Sequence, residues 1–262
     1  MISNVLQYRL FSTNLNREVL VDFYEPATKV KMEEMNLLLL NDGQDLLAMP
    51  FKQILDTLIL QVEINAVFCV GIHCGADRKN EYATANKLDY KGRGAKAAAY
   101  TKFIMEELLP FIYTNYSIRG FKTKSFAGFS LGGLSALDIV WNNPAEFLNA
   151  GIFSGSLWWR DKDQSEKDFD ESKNRIMHRQ IQLGKYVPHL RFFLEAGAKD
   201  ETADRNNNGI IDSIDDTLDL INELKALGYG KENIHYLELP EGRHDVATWA
   251  LALPVFLKWL KI

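Results

Sequence analysis

The 262-residue chain is predicted to fold as a single α/β domain over residues 1–262, with a mostly parallel central sheet, an antiparallel N-terminal hairpin and helices on both faces. Three observations predict this. Short β-rich runs alternate with segments of helical periodicity along most of the chain, which is how parallel sheets layered between helices are written. The runs Asn36-Leu37-Leu38-Leu39-Leu40 and Val67-Phe68-Cys69-Val70-Gly71-Ile72 are apolar throughout rather than alternating, as strands covered on both faces are. The first two runs, Val5 to Phe11 and Val19 to Tyr24, flank the turn Thr13-Asn14-Leu15-Asn16, the pattern of a hairpin.

The remaining elements follow in chain order. Ala97 to Tyr113 carries apolar residues at three- and four-residue spacings and predicts a helix. A strand Ser125 to Gly128 leads into a helix Leu131 to Trp141, which Pro144 follows as a stop. A strand Ala150 to Phe153 comes next, and then the polar, irregular segment Trp158 to Val187, read as an excursion over the top of the sheet. Strands Arg191 to Glu195 and Ile234 to Glu238 alternate with helices Thr217 to Leu227 and Val246 to Leu260, and Gly228 closes the first of these helices. No internal repeat or low-complexity segment interrupts the pattern.

Composition sets bounds on function. Hydrophobic residues make up 47% and charged residues 25%, with a formal net charge of −5, and the basic residues form no stripe. Nucleic acid, whose phosphates need clustered Lys and Arg, is therefore not an expected partner. No apolar run approaches the roughly 20 residues that span a bilayer, so no membrane partner is expected. Met1-Ile2-Ser3-Asn4 lacks the basic head and apolar stretch of a signal peptide, so a cytoplasmic location is expected. The two cysteines, Cys69 and Cys74, are expected to be buried free thiols, since further ligands for a redox or metal site are missing.

The strongest local signal is Gly128-Phe129-Ser130-Leu131-Gly132, placed between a strand and a helix. A turn that tight leaves almost no room for side chains at its flanks, and glycine meets that requirement while the serine hydroxyl is left projecting from the sheet. The Leu131 N–H then lies at the positive end of a helix, where it can meet a developing oxyanion. A serine hydroxyl needs a base. Of His73, His178, His189, His235 and His244, only His244 falls after the last strand and before the last helix, on the rim that carries Ser130. The acid that orients the histidine should follow the strand Arg191 to Glu195. Asp200 and Glu201 both qualify, with Asp204 more distant, and Asp200 is favoured. A second oxyanion donor should come from the loop Asn41-Asp42-Gly43-Gln44, where Gly43 lets the backbone approach a reacting carbonyl and the Gln44 N–H is the candidate. A plain Asp-Gly turn is the alternative.

Taken together, the segments Leu40 to Gln44, Ala127 to Gly133, Ser154 to Trp159, Gly197 to Asp200 and Gly242 to Trp249 resemble the putative esterase family of α/β hydrolases. That family includes enterochelin-type siderophore esterases, feruloyl and acetylxylan esterases, S-formylglutathione hydrolase and mycobacterial mycolyltransferases. The resemblance covers nearly the whole chain from about Leu37. It implies an α/β-hydrolase fold, with Ser130 as nucleophile, Asp200 as acid, His244 as base, and Gln44 and Leu131 as oxyanion donors. It also implies substrate contacts from Arg78, which with Glu81-Tyr82 follows the strand ending at Ile72, and an aromatic pocket wall from Trp158 and Trp159. Ser154-Gly155-Ser156 departs from the Ser-Pro-Ser of similar siderophore esterases.

The expected activity is hydrolysis of a small-molecule or carbohydrate-linked carboxylic ester through an acyl-enzyme. An acyltransferase using the same intermediate, and a non-catalytic binding module on a hydrolase scaffold, are the alternatives. Catalysis needs no cofactor in this reading. One further motif stands apart: Asp204, Asn206, Asn208, Ile210, Asp212 and Asp215 follow calcium-loop spacing, with Gly209 at the sharp turn. A structural calcium ion is one reading of this loop; the other is that its acids simply cap the helix that follows.

Overall fold

The computed structural model describes residues 3–260; the outermost residues of the domain expected over 1–262 lie outside the described residues. The continuous apolar strands build one eight-stranded sheet. Its strands are β1 (Asn4–Ser12), β2 (Arg17–Glu25), β3 (Asn36–Asn41), β4 (Val67–Ile72), β5 (Thr123–Phe129), β6 (Asn149–Phe153), β7 (Arg191–Lys199) and β8 (Ile234–Arg243). They lie in the order β1-β2-β4-β3-β5-β6-β7-β8. The hairpin β1–β2 and the join of β2 to β4 are antiparallel, and every other pair is parallel. This is the expected mostly parallel sheet with an antiparallel N-terminal hairpin, the sheet of an α/β hydrolase.

The leucine run of β3 shows why these strands are apolar throughout. Leu37 and Leu39 enter the core on one face, and Leu38 and Leu40 the core on the other. Each of the four is fully buried, and burying one such side chain contributes about 1.5–3 kcal/mol. On the first face lie α2, built from Ala97–Lys102, Phe103–Leu108 and Leu109–Asn115, together with α3 (Leu131–Asn142), α4 (Ile176–Gln182) and α5 (Asp212–Ala226). On the second face lie α1 (Phe51–Leu60) and α6 (Val246–Trp259).

Several boundaries differ from the sequence reading, each for a physical reason. α2 is not uniform: residues 103–108 are π-wound, and these wide turns run directly into Leu109-Pro110, where the proline has no N–H for a regular ladder. α5 begins at Asp212 rather than Thr217, because the Glu201 carboxylate accepts the Ser213 N–H at 2.7 Å and satisfies the helix start from outside. β7 and β8 extend past Glu195 and Glu238 to Lys199 and Arg243. The Gly- and Pro-containing ends resemble loop, yet they pair across a register shift between Gly197 and Lys199. The excursion 158–187 is anchored: Arg175 donates to Asp216 at 2.8 Å and to Asp219 at 2.7 Å on α5. Cys69 is buried, whereas Cys74 is only half-buried; both are free thiols. Among the described residues no helix is long and apolar enough to cross a membrane.

Candidate active site

The parallel strands all deliver their carboxyl ends to one rim, and the chemistry collects there. β5 ends at Phe129 and α3 begins at Leu131, so Ser130 alone makes the turn, at φ 55° and ψ −121°. A non-glycine residue there stores about 1–3 kcal/mol of strain that the surroundings must hold. Gly128 has no room for a side chain, and Gly132 has room for one only if Asp42 moves. A Cβ on Gly128 would stand 2.3 Å from the Gly132 carbonyl oxygen, and one on Gly132 would stand 2.5 Å from Asp42 Oδ2. The Ser130 N–H donates to the Phe153 carbonyl of β6 at 2.8 Å, which locks the elbow to the sheet.

The structure brings His244 to this serine, with Nε2 2.9 Å from Ser130 Oγ. His244 sits in the short connection between β8 and α6. That connection is set by Asp245, whose carboxylate accepts the Thr248 N–H at 2.9 Å, and by Thr248 Oγ1, which accepts the Arg243 N–H at 2.8 Å. Trp249 meets the imidazole edge-on with ring centroids 5.3 Å apart and stacks on Phe129 at 5.2 Å. Asp200, just past β7, places Oδ2 3.9 Å from His244 Nδ1. Its carboxylate is buried, with neither oxygen hydrogen-bonded among the described residues. Such contacts are often long in the absence of substrate and tighten in the reacting complex. Glu201, the competing carboxylate, is spent on the Ser213 N–H, and Asp204 accepts the Asn208 and Gly209 N–H groups.

Two polar residues near the site were not singled out from sequence. Ser156 places its Oγ 3.4 Å from Ser130 Oγ; the only signal for it was its place in the Ser-Gly-Ser run. Glu195 is fully buried in β7, where its carboxylate accepts the Ser154 N–H at 3.1 Å. Ser154 Oγ in turn accepts the Trp249 Nε1–H at 3.0 Å. An acid inside a strand gives no signal in the sequence beyond breaking an apolar run.

Burial, and then the neighbouring Asp200 carboxylate, push the Glu195 carboxyl up to about 8. A carboxyl raised in the folded state stabilises the fold fully below its unfolded pKa, and that contribution is lost as pH rises through the folded value. We therefore expect the melting midpoint to fall by several degrees between about pH 5 and pH 9, and Glu195→Gln to flatten much of that fall. Asp138, pushed up to about 6 by burial, acts in the same direction and leaves part of the slope. Equal slopes in wild type and variant would show that Glu195 is not the group concerned.

The loop after β3 meets the elbow from the other side. Asp42 is left-handed at φ 58°. Gly43 lies so close to β4 that a Cβ there would come 2.5 Å from the Gly71 carbonyl carbon. Among the described residues neither the Gln44 nor the Leu131 backbone N–H has an intramolecular acceptor, so both are free to bind a developing negative charge. Arg78 does not stand free. Its Nε and Nη2 donate to Asp42 Oδ1 and Oδ2 at 2.7 and 2.6 Å. Burial opposes its charge, but the Asp42 contact outweighs this and raises its pKa. The two tryptophans separate. Trp159 is buried, with the Arg93 guanidinium 4.6 Å from its ring centre. Trp158 is half-buried and lines a cavity of about 310 Å³ with Tyr90, Arg160 and Glu201.

The 204–215 loop gathers only part of its predicted ligand set. The side-chain amides of Asn206 and Asn208 donate to Asp215 Oδ2 at 2.8 and 2.9 Å. Asp212 instead accepts the Arg205 N–H at 2.8 Å. Ile210 donates its N–H to Asn208 Oδ1 at 2.8 Å. Among the described residues no three His, Cys, Asp or Glu side chains cluster as metal ligands would.

Comparison with known proteins gives a consistent picture. The model of the family described as Putative esterase matches residues 12–260. YjcH of Bacillus subtilis (strain 168), itself uncharacterised, is 26% identical over 261 residues, covering 98% of this chain and 97% of its own. The enterobactin esterase FES of Shigella flexneri, solved in the presence of enterobactin, superposes with a TM-score of 0.75 at 22% identity. That match covers 97% of this chain but 58% of the Shigella chain, so this chain spans less than two thirds of that enzyme. A ferulic acid esterase superposes with a TM-score of 0.71 at 19% identity, covering 99% of this chain and 98% of its own. At these identities the two structures share the fold with this chain.

Proposed function

The chain belongs to the Putative esterase family, and from that premise we propose that it is a serine carboxylic-ester hydrolase working through an acyl-enzyme on Ser130. The observation that carries the reading is His244 Nε2 at 2.9 Å from the Ser130 hydroxyl, at a strained elbow between a strand and a helix. His244 takes the Ser130 proton as Oγ attacks the ester carbonyl. The carbonyl oxygen becomes an oxyanion held by the Gln44 and Leu131 N–H groups. His244 then returns the proton to the departing alcohol, leaving an acyl-serine. Water repeats the cycle in the second half, with His244 again the base. Asp200 holds the imidazole tautomer and supports the imidazolium.

The substrate proposed is a small-molecule or carbohydrate-linked ester. The cavity of about 310 Å³ beside Trp158 is lined by neither Ser130 nor His244 and does not set the size of the ester. Two structural neighbours are an enterobactin esterase and a ferulic acid esterase, which puts feruloyl esters among the substrates to assay. The proposal assigns no cofactor to catalysis. Calcium at the 204–215 loop is proposed on oxygen spacing alone and as a structural ion, since serine chemistry needs no metal; Asp215 Oδ2 there already accepts the Asn206 and Asn208 amides.

The test is hydrolysis of p-nitrophenyl acetate by the purified protein, with and without EDTA. The account expects turnover well above the uncatalysed rate, unchanged by the chelator. Absence of turnover on this ester and on feruloyl and acetylated-sugar esters would refute the reading, and loss of turnover in EDTA at an unchanged melting midpoint would refute its metal-free chemistry.

A further inference from the structure

Arg78 has the reach and charge of a substrate contact, yet its Nε and Nη2 donors are engaged inside the protein. Its guanidinium makes a two-pronged pair with the Asp42 carboxylate at 2.7 and 2.6 Å and a third, longer bond to the Phe129 carbonyl at 3.3 Å. It also lies 5.2 Å from the centre of the Tyr82 ring, a favourable cation–π distance. Phe129 is the residue immediately before the nucleophile, so one side chain touches both the loop after β3 and the elbow.

Asp42 is where this clamp acts. It is 2% exposed and left-handed at φ 58°, a conformation uncommon for a non-glycine residue but one that Asp adopts when local contacts hold it. Three contacts impose it: the Arg78 pair, the Tyr82 hydroxyl that accepts the Asp42 N–H at 3.2 Å, and the Gln44 side-chain amide that donates to Oδ1 at 3.3 Å. Gln44, two residues on, carries the N–H proposed to bind the oxyanion. Oxyanion donors are effective because they are already aimed when charge develops. A loop that must reorganise loses that advantage without losing substrate affinity.

We propose that Arg78 is a positioning residue, which through its pair with Asp42 holds the loop bearing the Gln44 N–H in register with the Ser130 elbow. This rests on the esterase reading above. It differs from a substrate-binding role for Arg78 in a measurable way. A positioning residue changes kcat on every ester alike, whereas a residue that holds an anionic substrate changes KM on anionic esters.

The experiment measures kcat and KM for wild type, Arg78→Gln, Asp42→Asn and the double variant on p-nitrophenyl acetate and on the anionic mono-p-nitrophenyl succinate, with melting midpoints checked. Deleting an oxyanion donor costs about 10²–10³-fold, and loosening one should cost about 10- to 100-fold. Each single variant is expected to lose that much kcat on both esters, with KM nearly unchanged. The double variant should be no worse than the worse single, because both act through one pair. Affinity for a trifluoromethyl ketone, which forms the oxyanion, should fall in step with kcat. Tyr82→Phe removes only the hydroxyl that takes the Asp42 N–H and serves if Arg78→Gln does not fold; it too should lower kcat at unchanged KM. A KM increase confined to the succinate ester, unchanged kcat in Asp42→Asn, unchanged kcat in Tyr82→Phe, or additive losses would each overturn the proposal. An active wild type with an unaffected Arg78→Gln defeats the positioning role alone, whereas a wild type inert on both esters brings down the esterase reading and this proposal with it.

Discussion

Ser130→Ala is expected to abolish ester hydrolysis, lowering the rate by about 10⁴- to 10⁶-fold, while the melting midpoint stays near or above that of wild type. The size follows from the position. Ser130 Oγ is the group His244 meets at 2.9 Å, and the turn that presents it has room for nothing larger than glycine at Gly128. The hydroxyl contributes little to the fold, since its other neighbour is Ser156 Oγ at 3.4 Å. Activity within about tenfold of wild type would remove Ser130 from the mechanism, because loss of a nucleophile cannot be so mild, and would turn attention to Ser156.

His244→Ala should be as damaging as Ser130→Ala, because near neutral pH the hydroxyl is not deprotonated without a base. The two losses should not add, since nucleophile and base act as one unit. Asp200→Asn should cost less, about 10²- to 10⁴-fold, because it leaves the serine–histidine contact in place and removes only the group that fixes the tautomer. The buried Asp200 carboxylate, 3.9 Å from Nδ1, has no other described partner. Glu201→Gln is the control. Glu201 caps α5 by accepting the Ser213 N–H, and the Gln amide oxygen can still accept it, so the change should cost less than about 1 kcal/mol of stability and leave kcat nearly intact. Assay of both carboxylate variants beside the melts separates these outcomes, and a catalytic loss in Glu201→Gln with none in Asp200→Asn would exchange their roles.

Much of this was legible in the sequence because the information is local. The apolar runs of β3 and β4, the glycines around Ser130 and the place of His244 before the last helix each follow from short-range patterning and from glycine's small size. The acid could be favoured as Asp200 but not separated from Glu201 on local grounds, since the choice depends on which one the bulged end of β7 turns toward β8. What stayed hidden is long-range. The Arg78–Asp42 pair joins residues 36 positions apart, and a lone arginine after a strand carries no mark of its partner. Trp158 and Trp159 are chemically identical neighbours, and only the fold shows that Trp159 is buried while Trp158 is half-buried. Glu195 was invisible for the opposite reason: it sits in a strand whose neighbours are apolar, its partner Ser154 comes from the end of β6, and Ser154 is held in turn by Trp249 of α6.

The central claim is that Ser130 is the nucleophile of a live ester hydrolase. The most direct measurement is labelling of the native protein with a fluorophosphonate, followed by peptide mapping by mass spectrometry. The account predicts one covalent phosphonyl adduct on Ser130, loss of esterase activity in proportion to labelling, and no adduct in His244→Ala over the same time. An active enzyme that acquires its adduct on Ser156 or any other residue, or that is not labelled at all, would contradict it.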